Sequence, residues 1–218
     1  MKKTFHAVLF DLDGTLLNTI DDLADSMNAA LEKYGYKRYT PDEYRYFVGR
    51  GAYLLTKQAA GEGAPEEDVA RILQEYSRVY TGLRGGKTRP YDGIPAALEW
   101  LNARRIPVGV LSNKPHAHTT ATVAQYFPGG AFLSVVGQRE SVPIKPDPVG
   151  ALEFAVAAGL DAGEIVFVGD TGVDMLTAKN AGMYGVGALW GFRTASELQK
   201  GGARELLARP LDVVGLFE

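Results

Sequence analysis

Two aspartates, Asp11 and Asp13, stand two residues apart directly after an apolar run at 7–10, and Gly14 and Thr15 follow them. Side chains alternate along an extended chain, so a strand ending here sends both carboxylates to the same side. Paired carboxylates can attack an electrophile, exchange a proton with a leaving group, or hold a hard cation. Taken alone, Asp and Gly in this order would serve equally well as a turn or helix cap. Further along, Ser112-Asn113 closes a second apolar run, Lys145 stands before Pro146 in the approach to a helix, and Gly169-Asp170-Thr171-Gly172-Val173-Asp174 closes another. Four strand or loop ends thus deliver two acids, a hydroxyl, a lysine and two further acids.

The elements that must position these groups are readable from periodicity. Short β-branched or apolar runs recur at 7–10, 107–111, 133–136, 165–168 and 185–189, each ending in polar residues or glycine, as buried parallel strands do. Helix-period stretches lie between them at 94–103, 116–126, 149–158 and 175–181. Alternation of this kind predicts an α/β fold, a Rossmann-like doubly wound parallel sheet, which binds ligands at the carboxyl ends of its strands.

One gap breaks the rhythm. About seventy residues after the first strand carry helical patterns and no convincing strand, which predicts an inserted all-helical cap domain at 17–84 within a core of 1–16 and 85–218. Its first helix sets Ile20, Leu23, Met27, Ala30, Leu31 and Tyr34 on one face and ends near Gly35. A second opens on Thr40-Pro41-Asp42-Glu43, a capping box with proline at the first helical position. Another carries Val69, Ile72, Leu73, Tyr76, Val79 and Tyr80 as a stripe and dissolves at Gly85-Gly86. These stripes are expected to build the insert's own core, with hinges at the linkers near 16–18 and 82–86.

Composition narrows the chemistry. The chain of 218 residues has no cysteine, which removes disulfides, thiolate zinc sites and cysteine nucleophiles and leaves carboxylates, hydroxyls, lysines and three histidines. A net charge of −3 with both signs interspersed gives no basic field for a nucleic acid or an anionic membrane, so a small partner is expected. No apolar run approaches the roughly 18 residues of a membrane span, and residues 1–6 lead into a strand rather than a signal-peptide core, so the cytoplasm is the expected location.

The ordered set DLDGT, LSN, the lysine of IKPDP, and GDTGVD resembles the four motifs of the haloacid dehalogenase superfamily, and the resemblance covers nearly the whole chain. The insert, with Phe47-Val48-Gly49-Arg50-Gly51 and Pro90-Tyr91-Asp92-Gly93, is similar to the helical cap of the phosphoglycolate phosphatase-like branch. The resemblance implies a Mg2+-dependent phosphatase acting on a small phosphorylated metabolite, with Asp11 as nucleophile and an aspartyl-phosphate intermediate. It makes Asp11, Asp170 and the main-chain carbonyl of Asp13 the metal ligands, with Asp174 supporting the metal's outer shell or orienting Lys145. Lys145 supplies positive charge, while Ser112, Asn113 and nearby amides bind phosphoryl oxygens. At a reference pKa of about 3.9, Asp11 is expected to be anionic at neutral pH without help from a base. Asp13 would protonate the leaving alcohol and later deprotonate water, a role that selects hydrolysis or transfer of phosphate over dehalogenation.

Thr15 either adds a hydrogen bond near the transferring group or is turn chemistry. Arg50, between two glycines in a loop that in relatives reaches the active site, either reads a second anion of the substrate with its planar fork or is solvated. Phosphoglycolate is the favoured substrate, with pyrophosphate or a sugar phosphate behind it. A β-phosphoglucomutase-type isomerase shares every core residue, although Asn18 stands where the mutases carry an acid, and a catalytically silent binding module is the third alternative. A monomer or homodimer is expected. Lys57 reads as surface, Arg193 after Trp190-Gly191-Phe192 is undecided, and His6 is structural. His116 and His118, two apart at a helix start, make a poor metal pair because they point over different faces.

Overall fold

Residues 7–10, Ala-Val-Leu-Phe, are buried on both faces, the environment of a central strand in a sheet covered on each side. The computed structural model describes residues 4–83, 86–140 and 142–218. Its elements run β1 (Ala7–Phe10), β2 (Leu17–Asn18), α1 (Ile20–Lys33), α2 (Pro41–Phe47), α3 (Ala52–Ala60), α4 (Glu66–Gly82), β3 (Arg89–Pro90), α5 (Ile94–Ala103), β4 (Val108–Pro115), α6 (His116–Tyr126), β5 (Ser134–Gln138), α7 (Val149–Ala158), β6 (Ile165–Gly169), α8 (Gly172–Ala181), β7 (Tyr184–Ala188), α9 (Ala195–Gly201) and β8 (Glu205–Leu207). Six strands form one parallel sheet in the order β5-β4-β1-β6-β7-β8. Phe10 lies in register with Val110 on one side and Val168 on the other, so the residues that follow the three strands crowd one edge.

Alternation along β1 divides the core. Val8 and Phe10 enter one apolar cluster with Ile94, Leu98 and Val166, while Ala7 and Leu9 enter the other with Leu111, Phe154 and Phe167. This is the expected doubly wound α/β sheet. Three short features were not anticipated: β8, the helix α9, and the ribbon of β2 against β3, each too brief to carry a periodicity. The strand expected at 107–111 also runs on to Pro115, with a register shift between Leu111 and Pro115, so Ser112, Asn113 and Lys114 belong to β4 itself.

Helices α1 to α4 lie between β2 and β3 and share a cluster built on Leu23, Met27, Leu31, Tyr44, Ile72 and Tyr76. The expected capping box starts α2: the Glu43 amide donates to Thr40 Oγ1 at 3.3 Å and the Thr40 amide to Glu43 Oε2 at 2.7 Å. Helix α4 ends at Gly82; Gly85 and the expected domain boundary between 84 and 85 lie outside the described residues. Among the described residues no helix is long and apolar enough to cross a membrane.

The antiparallel pairing of Leu17–Asn18 with Arg89–Pro90 ties together the two chain crossings between sheet and insert. Beside it, buried Asp22 of α1 accepts hydrogen bonds from the Lys87 amide at 2.7 Å, the Thr88 amide at 2.9 Å and Thr88 Oγ1 at 2.6 Å. Burial by itself would raise the Asp22 pKa, but these hydrogen bonds outweigh it and hold the carboxyl below its ordinary value. A carboxyl whose pKa is lower folded than unfolded adds stability that is complete above the unfolded value and is lost as pH falls through the folded one. Asp22→Asn should therefore cost about 1–3 kcal/mol in urea unfolding near neutral pH. Its gap from the wild type should close as pH falls below about 4. A gap that stayed constant into acid would mean the carboxylate charge plays no part in pinning this linker.

Candidate active site

Asp11 follows β1 with its amide donating to the Val168 carbonyl at 2.9 Å, which extends the sheet pairing by one residue and seats the carboxylate between β4 and β6. Lys145 Nζ reaches Asp11 Oδ1 and Asp174 Oδ1, each at 2.7 Å, and all three side chains are buried. Asp174 is held in turn by α8: its Oδ2 accepts from the Thr171 amide at 3.0 Å and Thr171 Oγ1 at 2.6 Å, a capping box that fixes the helix start and the carboxylate together. Asp170, on the link between β6 and α8, accepts from the Phe192 amide at 2.7 Å and from Thr15 Oγ1 at 3.3 Å. Gly14, at φ +91, leaves the room Asp170 needs, because a Cβ there would stand 2.3 Å from Asp170 Oδ2.

Three residues expected to contact substrate have these surroundings. Asn113 was expected to bind phosphate; here its Oδ1 accepts from the Lys145 amide at 2.8 Å, and Nδ2 donates to the Lys145 and Gly49 carbonyls, each at 3.0 Å. Asn113 nonetheless lines the same pocket as Ser112 and Lys114, where the register of β4 shifts between Leu111 and Pro115. Thr15 is fully buried and spends its hydroxyl on Asp170 rather than in the pocket. Arg50 is exposed and lines a neighbouring cleft of about 660 Å³ that shares Val48 and Lys145 with the pocket that holds Asp11. The φ angles of Gly49 and Gly51, +117 and +87, turn the loop so that the two glycines face the pocket and the arginine faces out.

Two groups escaped the sequence reading. Lys114, buried at the end of β4, places Nζ 3.0 Å from Asp13 Oδ1 and 3.3 Å from Oδ2, and donates to Tyr80 Oη of α4 at 2.7 Å. The signal was present, since Lys114 stands two residues after Ser112 and must share its side of the strand. Tyr80 was read as part of an apolar stripe, and nothing local distinguishes its hydroxyl. Arg193, left undecided by the sequence, donates to the Arg45 and Val48 carbonyls and so fastens a core loop to the insert. His116 Nδ1 accepts from the Gly137 amide at 3.2 Å, while His118 lies beside Ser77 and Tyr80, so the two histidines work apart. Lys57 pairs with Glu66 on the surface of the insert.

Asp11, Asp13, Ser112, Lys114 and Lys145 line one pocket of about 50 Å³, walled from the insert by Leu23, Val48, Leu55 and Tyr76. With Asp170 and Asp174 beside the pocket, carboxylates outnumber amines around it. Burial above all, with Asp174 and Asp13 adding to it against the pull of Lys145, pushes the Asp11 carboxyl up to about 7. The expectation that Asp11 is fully anionic at neutral pH by itself is thereby corrected. Burial, Asp174 and Asp11 likewise hold Asp170 well above the ordinary carboxylate range. Oxygens of Asp11, Asp170 and Asp174 lie within 4.8 Å of one another, all buried. A hard oxygen donor set carrying surplus negative charge fits a divalent cation, and Asp174 is already committed to Lys145 and Thr171.

Comparison with known proteins agrees with this arrangement. The family described as Haloacid dehalogenase-like hydrolase matches residues 8–188. A phosphoglycolate phosphatase of Xanthomonas campestris pv. campestris (strain 8004) is 32% identical, over 88% of this chain and 86% of its own length. One from Mannheimia succiniciproducens is 29% identical, over 88% of this chain and 89% of its own. Among solved structures, a predicted phosphoglycolate phosphatase from Haemophilus somnus 129pt superposes with a TM-score of 0.91 at 25% identity, covering 98% of each chain. With an acid pair after β1, a lysine shared between two carboxylates and a match over most of its length, the chain belongs to the haloacid dehalogenase-like hydrolases, among the phosphatases that resemble phosphoglycolate phosphatase.

Proposed function

We propose that the protein is a Mg2+-dependent phosphatase that hydrolyses a small phosphorylated metabolite, with phosphoglycolate the favoured substrate, through an aspartyl phosphate on Asp11. The observation that carries this reading is the convergence of Asp11, Asp13, Ser112 and Lys145 on one buried pocket beside Asp170. Asp11 and Asp170 carboxylates with the Asp13 main-chain carbonyl would hold the cation. When bound, it supplies the positive charge that keeps Asp11 ionised and lets an anionic phosphate approach.

The remaining work falls to the chain's own groups. A carboxylate oxygen of Asp11 attacks phosphorus as the bond to the leaving alcohol breaks, and Asp13 gives the alcohol its proton. A water then attacks the acyl phosphate, Asp13 takes its proton, and free phosphate leaves with Asp11 regenerated. Lys145 neutralises Asp11 and the phosphoryl oxygens, held in place by Asp174 and, through its own amide, by Asn113. Ser112 faces the same space. Residues 17–84 act as the cap, whose Leu23, Val48, Leu55 and Tyr76 wall the pocket, so the insert is expected to move as substrate enters and product leaves. The names of the relatives and the small pocket support a compact substrate. The modest net charge of −3 supports a small-molecule partner rather than nucleic acid or membrane, for an enzyme working in the cytoplasm as monomer or homodimer.

Phosphate release from a panel of phosphorylated metabolites tests this. Activity is expected with magnesium, with phosphoglycolate among the best substrates, and it should vanish in excess chelator and return when magnesium is restored. Full activity in chelator would overturn the metal assignment. Interconversion of sugar phosphates without release of phosphate would point to the mutase.

A further inference from the structure

Lys114 has one partner on each side of the junction between sheet and insert. Its ammonium donates to both oxygens of Asp13, at 3.0 and 3.3 Å, while its main-chain amide separately donates to Ser112 Oγ at 3.2 Å. From the insert comes Tyr80 Oη at 2.7 Å. The phenol is placed by rings on both structures, with Tyr76 of α4 at 5.8 Å and His118 of α6 at 5.9 Å between centroids. Lys114 is buried and Tyr80 partly so, and loss of either partner leaves the ammonium without one of its hydrogen bonds. A four-carbon stem is flexible, and an ammonium has three donors that swing freely. The hydroxyl from the insert therefore decides where the charge stands, and the charge decides where the Asp13 carboxylate stands.

We propose that Tyr80 is a positioning residue, which acts through Lys114 to hold Asp13 where it exchanges its proton only while the insert is seated on the sheet. The inference rests on the phosphatase reading above and adds to it a coupling between cap seating and proton transfer. Chemistry then waits for closure, because an unseated α4 takes away the hydroxyl and leaves the lysine and Asp13 free to wander. Positioning matters at this scale, since a misplacement of about 1 Å can cost about a hundredfold in rate.

The test compares two substrates whose leaving groups differ in their need for a proton, β-glycerophosphate and p-nitrophenyl phosphate, by kcat/KM, which reports steps up to departure of the alcohol or phenol. Tyr80→Phe keeps the ring and its packing and removes only the hydroxyl. It should lower kcat/KM for β-glycerophosphate by about tenfold or more, a part of the roughly 10²–10⁴ that general acid catalysis supplies. For p-nitrophenyl phosphate the loss should stay under about twofold, because nitrophenolate departs without a proton. In an Asp13→Asn background the same substitution should cost nothing further with β-glycerophosphate, since groups acting as one unit are not additive. Equal losses on both substrates, no loss on either, or an undiminished loss in the Asp13→Asn background would each overturn the proposal and leave the phosphatase reading intact. A wild-type protein that releases phosphate from neither substrate would overturn that reading, and this inference with it.

Discussion

Asp11→Asn should abolish turnover, lowering kcat by more than about 10⁴-fold, the scale seen when a covalent nucleophile is removed. A neutral amide is a poor nucleophile, and the substitution also removes a charge that the proposed cation needs. The variant should nonetheless fold. Lys145 keeps its 2.7 Å contact with Asp174, and the substitution removes a buried carboxyl that desolvation above all pushes up to about 7. Thermal unfolding of the metal-free variant should therefore be no easier than that of the metal-free wild type. The covalent step has its own readout. Borohydride added to wild-type enzyme during turnover should reduce the acyl phosphate and convert Asp11 alone to homoserine, visible in the mass of the peptide that contains it. Asp11→Asn should show neither the label nor the activity. Label on Asp13, or wild-type turnover by Asp11→Asn, would make the assignment of the nucleophile wrong.

Asp13→Asn should keep the nucleophile and lose the proton carrier. With an alkyl phosphate kcat/KM should fall by about two to four orders of magnitude, the usual worth of general acid–base catalysis. The amide is close in shape to the carboxylate and can still accept a hydrogen bond from Lys114, so substrate binding should change little. With p-nitrophenyl phosphate the first step needs no proton, but hydrolysis of the aspartyl phosphate still needs a base. A burst of nitrophenolate close to one equivalent per enzyme, followed by slow turnover, is the expected trace. Equal losses with both substrates and no burst would remove Asp13 from proton transfer and leave it only its main-chain carbonyl.

Local chemistry determined much of this protein. The apolar run of 7–10, buried on both faces, with Asp11 and Asp13 behind it, specified a central strand and an acid pair at its carboxyl end. Thr40 through Glu43 specified a helix start, and the α1 stripe specified a face that packs within the insert. Each of these depends on residues within one or two turns of each other, where alternation, periodicity and capping act. The order of the four motifs along the chain likewise needed no coordinates.

What only the tertiary structure decided lies between residues far apart in sequence or depends on the sum of many surroundings. The hydrogen bonds of Asn113 to Lys145 and Gly49 join positions 32 and 64 residues away. The Lys114 bridge from Asp13 to Tyr80 spans 101 and 34 residues, and no window of sequence contains both partners. Arg50 was correctly seen to sit between two glycines, but the direction of its side chain follows from how that loop docks against β4 and the link after β6. The protonation of Asp11 belongs to the same class. A reference pKa describes a carboxyl in water, whereas this one is desolvated by the whole fold more than Lys145 can offset, with Asp174 and Asp13 adding to the rise, so its charge is a property of the packed site.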